Sequence, residues 1–514
     1  MEHKKQSLFG ARDMTVGRPL SAMMWFAVPL LIGNIAQLMY NTADSIVVGR
    51  MISSNALAAV GASTPIQTLF FVFFMTVGTG VSVLVSQHFG AKDFDKLSQT
   101  VGTALTLTLI VTLFITAIGI PLSQPILRLT KVAPEIMGYA RDYLLVMFIG
   151  TVGQGFYNIL SGILRGMGES IFPLIVLIGT ALLNIALDIL FVGPLQMEVA
   201  GAAIATIICQ YISAVVCLIR LLHMRGAEIT GFASGSAGRS DCNHVARERD
   251  SRAPASGALF RVTRAFLIPK KSIIAQIAKI GLPSGVQQGI LSTSYIFVQS
   301  LINSVVIFDS AGMASNTIFA AINVAISKVD NIAMLPNQAF SMAGATFAGQ
   351  NIGAGRLDRV RQGFKIILLT SLSVSAALIV LITLFGGDLM KLFIDINEPD
   401  GPLIIARGVP MQRIMVWCYL AMSLTQASGG VLRGAGDTFP VMCFTIIGTV
   451  FMRMPMAYFM VRASKSAEFP AGDPAGVYWS MLICFTLVAG ACGVYYATGR
   501  WKRKALERAA VRSS

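Results

Sequence analysis

The chain has 514 residues, 54% of them hydrophobic and only 13% charged, and its mean hydropathy is +0.69. A soluble domain carries about 25% charged residues, so this composition excludes an ordinary water-soluble globular protein. The net charge of +15 would suit nucleic acid if it were gathered on one surface. Here the bases fall in short polar stretches between apolar runs, which makes them a topology signal and argues against a nucleic-acid partner.

In chain order, the opening MEHKKQSLFGARDM is too polar for a secretory signal, and the apolar run after it is too long for one. Runs of about 20 apolar residues then predict twelve transmembrane helices. The first six cover 24–48, 58–86, 99–121, 137–162, 171–192 and 200–222. The second six cover 280–304, 314–345, 363–385, 403–430, 439–460 and 476–498. The spans 58–86 and 314–345 are long enough to tilt or bend.

Between the halves, 223–272 mixes Gly, Ser and Ala with alternating charges and has no helical period, which reads as a flexible linker. RVTRAFLIPKK, at the end of this segment, suits a short basic segment on the inner leaflet. Bases crowd the N-terminus, SQHFGAKDFDK, the central loop, QNIGAGRLDRVRQ and the tail GRWKRKALER, while GPLQMEV has none. The positive-inside rule therefore places both termini and the 223–272 loop in the cytoplasm of a multi-pass protein of the cell membrane. The expected organisation is all-α: residues 1–222 as an N-lobe, 223–272 as a cytoplasmic linker, and 273–514 as a C-lobe with a basic tail. Six of the seven cysteines lie in apolar runs, with no CxxC pair and no His/Cys cluster at metal-ligand spacing. They read as small buried hydrophobes, and no cofactor or structural metal is expected.

The halves repeat one another. SGILRGMGESIFP (161–173) returns as GGVLRGAGDTFP (429–440), SQHFGAKDFDKL (86–97) as GQNIGAGRLDRV (349–360), and FAVPLLIG (26–33) as KIGLPSGV (279–286). Six crossings per half mean that both halves enter from one side, so an axis along the membrane normal relates the repeats. The RGxG turns supply glycines for tight loops and an arginine that reads as a positive-inside anchor.

Asp44, in MYNTADSIVVGR (39–50), is the only charge in its apolar run. A charge inside hydrocarbon costs at least a few kcal/mol even on lenient scales, so it needs a partner or a function. TALLNIALDILFV carries Asn184 and Asp188 at i, i+4, one face of a helix, and the next span carries Thr206. Counting along the helices places Asp44 about 20 residues and Asp188 about 17 residues from the inner end, with Thr206 about six residues below the outer end. The four residues share one depth. Two carboxylates, an amide and a hydroxyl suit a hard monovalent cation or one shared proton. A lone buried Asp could instead be a helix–helix hydrogen bond; two with polar partners at one depth favour an ion site. Pro29, about four turns below Asp44, is a candidate hinge. Gln37, Gln154 and Asn158 are candidates to line a substrate cavity.

The second half departs from this pattern. The position matching Asp44 is Val298, and GTVFMRMPMAYF offers Arg453 and Pro455 but no acid. The coupling chemistry is therefore expected in the first half alone. Arg453 is expected to snorkel or to meet a carbonyl. Lys328 and Asp330, at i, i+2, fit either a cavity lining or a water-exposed bend.

The doubled RG-G-[DE]-[ST]…P turn, QNIGAG, the early proline and YNTADSIVVGR together resemble the multidrug and toxic compound extrusion (MATE) family, over nearly the whole chain except the linker. The resemblance implies two six-helix lobes forming a V-shaped cavity, with export of organic cations against inward H⁺ or Na⁺. It also implies that Asp44, Asn184, Asp188 and Thr206 match the coupling-cation site of one branch. Members that bind their cation in the C-lobe use acids in the seventh and tenth helices. The corresponding QQGILSTSYIF and YLAMSLTQASGG have none. The expected function is a monomeric secondary active antiporter of amphipathic drugs and other xenobiotics, acting in the lipid bilayer without a cofactor beyond its coupling ion. The alternative is a flippase or exporter of a lipid-linked or polar metabolite from the wider superfamily. An enzyme is disfavoured, because the spans hold no HExxH, GxSxG or paired acid–His motif.

Overall fold

A computed structural model describes residues 10–130, 132–224, 267–305, 307–308, 314–315, 317–465 and 472–505. Within hydrocarbon every backbone N–H and C=O must be satisfied inside the segment, so the long apolar runs fold as helices. The first half contains α1 (Pro19–Met51), α2 (Ser54–Gly90), α3 (Phe94–Leu129), α4 (Pro134–Ile149), α5 (Thr151–Gly166), α6 (Ile171–Val192) and α7 (Glu198–His223). The second contains α8 (Lys271–Ser304), α9 (Thr317–Gly353), α10 (Leu357–Lys391), α11 (Gly401–Met415), α12 (Cys418–Gly434), α13 (Thr438–Ile446), α14 (Arg453–Ala463) and α15 (Ala475–Ala497). A two-residue β-ribbon pairs Ile307 with Ser315 and Phe308 with Ala314.

Local signals set the helix ends. Ser53 caps α2 by accepting from the Ala56 N–H at 3.1 Å, and Asp93 caps α3 through the Lys96 N–H at 3.0 Å. Ten helical stretches are long and apolar enough to cross a bilayer, and α4 with α5, bent by 51°, makes an eleventh. The bend falls at Gly150, where a Cβ would overlap the Ile207 side chain. The twelfth crossing is α8, whose 34 residues include the polar Gln287, Gln288, Ser292 and Thr293. Twelve crossings result, as the sequence predicts. The crossing made by α13 and α14 is interrupted by a π-helical turn at Ile447–Met452, immediately before Arg453.

The helices form two compact units, whose limits differ from the lobe bounds expected from the sequence. The first unit extends to Gly281 and also takes in Gly349–Arg356, the end of α9 and the turn after it. The second consists of Leu282–Ala348 and the residues from Leu357 on. Close backbone contact explains the difference. A Cβ on Gly80 would strike the Ile277 carbonyl, and one on Gly281 would strike that of Thr76. Gly90 stands likewise against Gln350, and Gly353 against Gln87. The start of α8 and the end of α9 thus lie directly on the backbone of α2, and Ile273, Ile277 and Ile280 join the core of the first unit. Most of the 223–272 linker lies outside the described residues. Its described end docks on α3, where the Leu267 carbonyl accepts from Thr106 Oγ1 at 2.6 Å and Lys270 Nζ donates to Gln99 Oε1 at 2.8 Å.

The repeated turns make equivalent bonds in the two units. Glu169 pairs with Arg220 at 3.2 Å, and Asp437 pairs with Lys504 at 3.0 Å. In the first unit the residues before α1 run across the turn. Arg12 N–H donates to the Met167 carbonyl at 3.1 Å, and Met14 N–H to Gln350 Oε1 at 2.8 Å. Gly168 adopts φ +87° with its missing Cβ facing the Arg12 carbonyl, so only glycine fits that turn.

Candidate functional site

Asn184 and Asp188 occupy successive turns of α6, and both are 0% exposed. Their i, i+4 spacing turns them to one face, toward α1 and α7. The Asn184 amide bridges Asp188 and α7. In the orientation that satisfies both of its ends, its nitrogen donates to Asp188 Oδ2 at 2.9 Å and its oxygen accepts from the Thr206 N–H at 3.2 Å. On α1, Tyr40 OH donates to Thr206 Oγ1 at 3.2 Å. One turn further, Asp44 stands within hydrogen-bonding reach of Asp188. The structure thus brings together all four residues that the sequence places at one depth.

Two oxygens in this cluster have no partner. Asp44 Oδ1 and Asp188 Oδ1 are buried and accept no hydrogen bond. An unsatisfied buried acceptor is costly, and two charges 4 Å apart at an effective dielectric of 20 interact by about 4 kcal/mol. A proton or a monovalent cation between the carboxylates relieves both penalties. Among the described residues no group of three or more His, Cys, Asp and Glu is placed to hold a metal ion.

Three residues at the site are not singled out by the sequence reasoning. Tyr40 lies one turn before Asp44 and fixes the Thr206 hydroxyl. Tyr143 on α4 lies close to Gln67 on α2 and sits within the field of both carboxylates. A buried tyrosine in an apolar span needs a partner for its hydroxyl, and that was the available signal.

The proposed cavity residues separate. Gln37 and Asn158 line one cavity of about 130 Å³ among α1, α5 and α6, together with Pro29, Asn34 and Arg165. Gln154 lines another, of about 190 Å³, beside Gln67 and the rings of Phe70, Phe71, Phe74 and Phe148. Helix α1 runs unbroken through Pro29, whose missing N–H leaves the Trp25 carbonyl without its helical donor.

The second unit also holds an acid with a buried carboxylate oxygen, Asp330, which from the sequence fits either a cavity lining or a water-exposed bend. Asp330 on α9 lies beside Tyr419 and is acted on by Arg453, which is 4% exposed and stands 6.0 Å from the Phe485 ring. Arg453 therefore meets a charged environment rather than snorkelling, while Lys328 is exposed.

Twelve crossings in two six-helix halves, with ionisable residues buried at membrane depth, define a polytopic membrane transporter. The sequence matches the MatE family over residues 29–190 and 293–459, and the chain belongs to that family, which is one of transporters and not of enzymes. It is 26% identical over 493 residues to the probable multidrug resistance protein YpnP of Bacillus subtilis (strain 168), covering 96% of this chain and 98% of that one. It is 24% identical to the probable multidrug resistance protein NorM of Thermotoga maritima, over 93% of this chain and 92% of that one. Among solved structures, an outward-facing multidrug resistance MATE family transporter of the MOP superfamily superposes with a TM-score of 0.79 at 22% identity, over 97% and 99% of the two chains. A MOP superfamily transporter from Pyrococcus furiosus, described as having a binding pocket of reverse polarity, gives 0.78 at 20% identity, over 98% and 99%. At these identities the structural likeness is one of fold.

Proposed function

We propose that the chain is a secondary active multidrug exporter of the cell membrane. It exchanges amphipathic, mostly cationic organic compounds for inward H⁺ or Na⁺ by alternating access. The observation that carries this reading is the pair of unpartnered oxygens, Asp44 Oδ1 and Asp188 Oδ1, in a cluster completed by Asn184 and Thr206. Occupied by a proton or cation, the cluster is neutralised; empty, it leaves charge buried in an apolar unit. Ion binding therefore favours whichever conformation buries the pair, and that preference is the coupling. Both termini and the central loop face the cytoplasm in this reading, and the transporter works as a monomer.

The test is drug efflux from membrane vesicles with the pH and Na⁺ gradients imposed separately. Export of a cationic dye driven by one gradient and collapsed by its ionophore is the expected result. Translocation of a lipid-linked precursor with no gradient-driven dye export would overturn it.

A further inference from the structure

The cavity among α1, α5 and α6 has a chemistry unlike that of the carboxylate pair. Its lining includes Asn34, Arg165 and Ser170, one cation and no acid. Arg165 belongs to the RGMGES turn and reads in the sequence as a surface anchor, yet its side chain lines this cavity. Among the described residues it forms no hydrogen bond or ion pair. The groups acting on its charge are Tyr157 and Cys217, neither of which is a carboxylate. The acid nearest in sequence, Glu169, is held by Arg220 through Nε at 3.3 Å and Nη2 at 3.2 Å.

Other donors in the same lining are also unused. Ser170 is 3% exposed and occupies the N-cap position of α6, but its hydroxyl makes no capping bond. Asn34 Nδ2 is buried without an acceptor. The first turn of the 22-residue helix α6 starts at this point, and a helix N-terminus carries partial positive charge with unsatisfied N–H groups. A guanidinium, a free hydroxyl, a free amide and a helix N-terminus thus converge on one small cavity. Its size bears on the ligand. About 130 Å³ is well below the roughly 300–1,000 Å³ of pockets that hold a drug-sized molecule, so one chemical group fits and a whole amphipathic drug does not. Asn34 lies ten residues from Asp44, about 15 Å along α1, so an occupant here is separate from the coupling ion.

We infer that this cavity is a binding site for a single oxyanionic group, of the carboxylate or phosphate type, held by Arg165 and hydrogen-bonded by Ser170 Oγ and Asn34 Nδ2. Arginine suits the role because its planar fork matches an oxyanion in a bidentate way.

The experiment titrates the thermal unfolding midpoint of the full chain with inorganic phosphate, at constant ionic strength, in nanodiscs of zwitterionic lipid. The wild type should show a saturable rise. Arg165→Gln, Ser170→Ala and Asn34→Ala should each raise the half-saturating concentration about tenfold or more, as expected for losing a hydrogen bond to a charged group. Asp44→Asn should respond as the wild type does, which separates this site from the coupling reading. A parallel set of nanodiscs containing phosphatidylglycerol distinguishes the source. Loss of the phosphate response there identifies a lipid headgroup as the occupant, and an unchanged response identifies a soluble anion; both outcomes support the site. No saturable response in the wild type in either lipid overturns it. So does an unchanged midpoint dependence in Ser170→Ala and Asn34→Ala, a readout that survives if Arg165→Gln fails to fold.

Discussion

Asp44 on α1 and Asp188 on α6 stand within hydrogen-bonding reach of each other, and each keeps its Oδ1 buried without a partner. Helix ladders alone do not create that arrangement, because either aspartate could have been satisfied by one donor from a neighbouring helix. Asn184 supplies such a donor to Asp188 Oδ2 only. The two remaining oxygens are where the proposed coupling proton or ion would bind.

Asp44→Asn and Asp188→Asn keep the shape of the site and remove one charge each. Both variants should reach the membrane folded and lose gradient-driven efflux. The measurement is dye export from vesicles under an imposed pH or Na⁺ gradient. Wild-type rates in Asp44→Asn, with an unchanged response to both gradients, would return the pair to a purely structural role.

Thr206 and Tyr40 form the neutral side of the site through their 3.2 Å hydrogen bond. Thr206→Val removes one oxygen, and Tyr40→Phe removes the donor that orients it. Each loses about 1 kcal/mol of interaction, so the half-saturating ion concentration should rise about fivefold without loss of maximal transport. The double variant should fall short of the product of the two effects, because both act through one hydroxyl. Ion-dependent efflux titrations check this, and strictly multiplicative effects would mean that the two residues act separately.

Much of this arrangement is legible in the sequence because two strong periodicities carry it. Apolar runs give the twelve crossings, and the i, i+4 spacing of Asn184 and Asp188 gives one helix face. Counting at 1.5 Å per residue brings Asp44 and Thr206 to the same level. What the sequence does not carry is rotation about helix axes and the choice of neighbours. Tyr40 lies inside the stretch that draws attention to Asp44, but its hydroxyl has a role only once α7 is beside α1. Arg165, at the last turn of α5, is equally compatible with a surface anchor or an inward guanidinium until α1 and α6 enclose it. The unit boundary shifts from 273 to Gly281 for a similar reason, since contact between Gly80 and Ile277 depends on two helices distant in sequence.

Those glycine crossings are themselves testable. Gly281→Val and Gly353→Val would drive side-chain carbons into the Thr76 and Gln87 carbonyls, whereas Gly61 and Gly179 have nothing within 4 Å of an added Cβ. Overpacking costs about 1–3 kcal/mol, and a glycine inside a helix is disfavoured against alanine by about 0.5–1 kcal/mol. The two valine variants should therefore lower the thermal midpoint measured by fluorescence-detected size exclusion, while Gly61→Ala and Gly179→Ala hold or raise it. Equal behaviour of the two groups would show that the crossings have room to spare.

Sidedness is tested most cleanly at Cys242, which lies outside the described residues. Of the six described cysteines, Cys209, Cys217, Cys418, Cys484 and Cys492 are buried and Cys443 is half-buried, all within helices of the two units. Cys242 is therefore the thiol expected to react first with a charged, membrane-impermeant reagent. Because bases crowd both ends and the central loop, the positive-inside rule places Cys242 in the cytoplasm. Inverted vesicles should label at Cys242 and intact cells should not, with Cys242→Ser removing the signal. Since residues 228–256 carry no site residue, their deletion should leave export within about twofold of the wild type at equal membrane expression, a change of roughly 0.4 kcal/mol in rate terms. Labelling of Cys242 from outside intact cells would reverse the proposed orientation. Loss of export on deletion, with normal expression, would give the central segment a role in transport that its composition does not reveal.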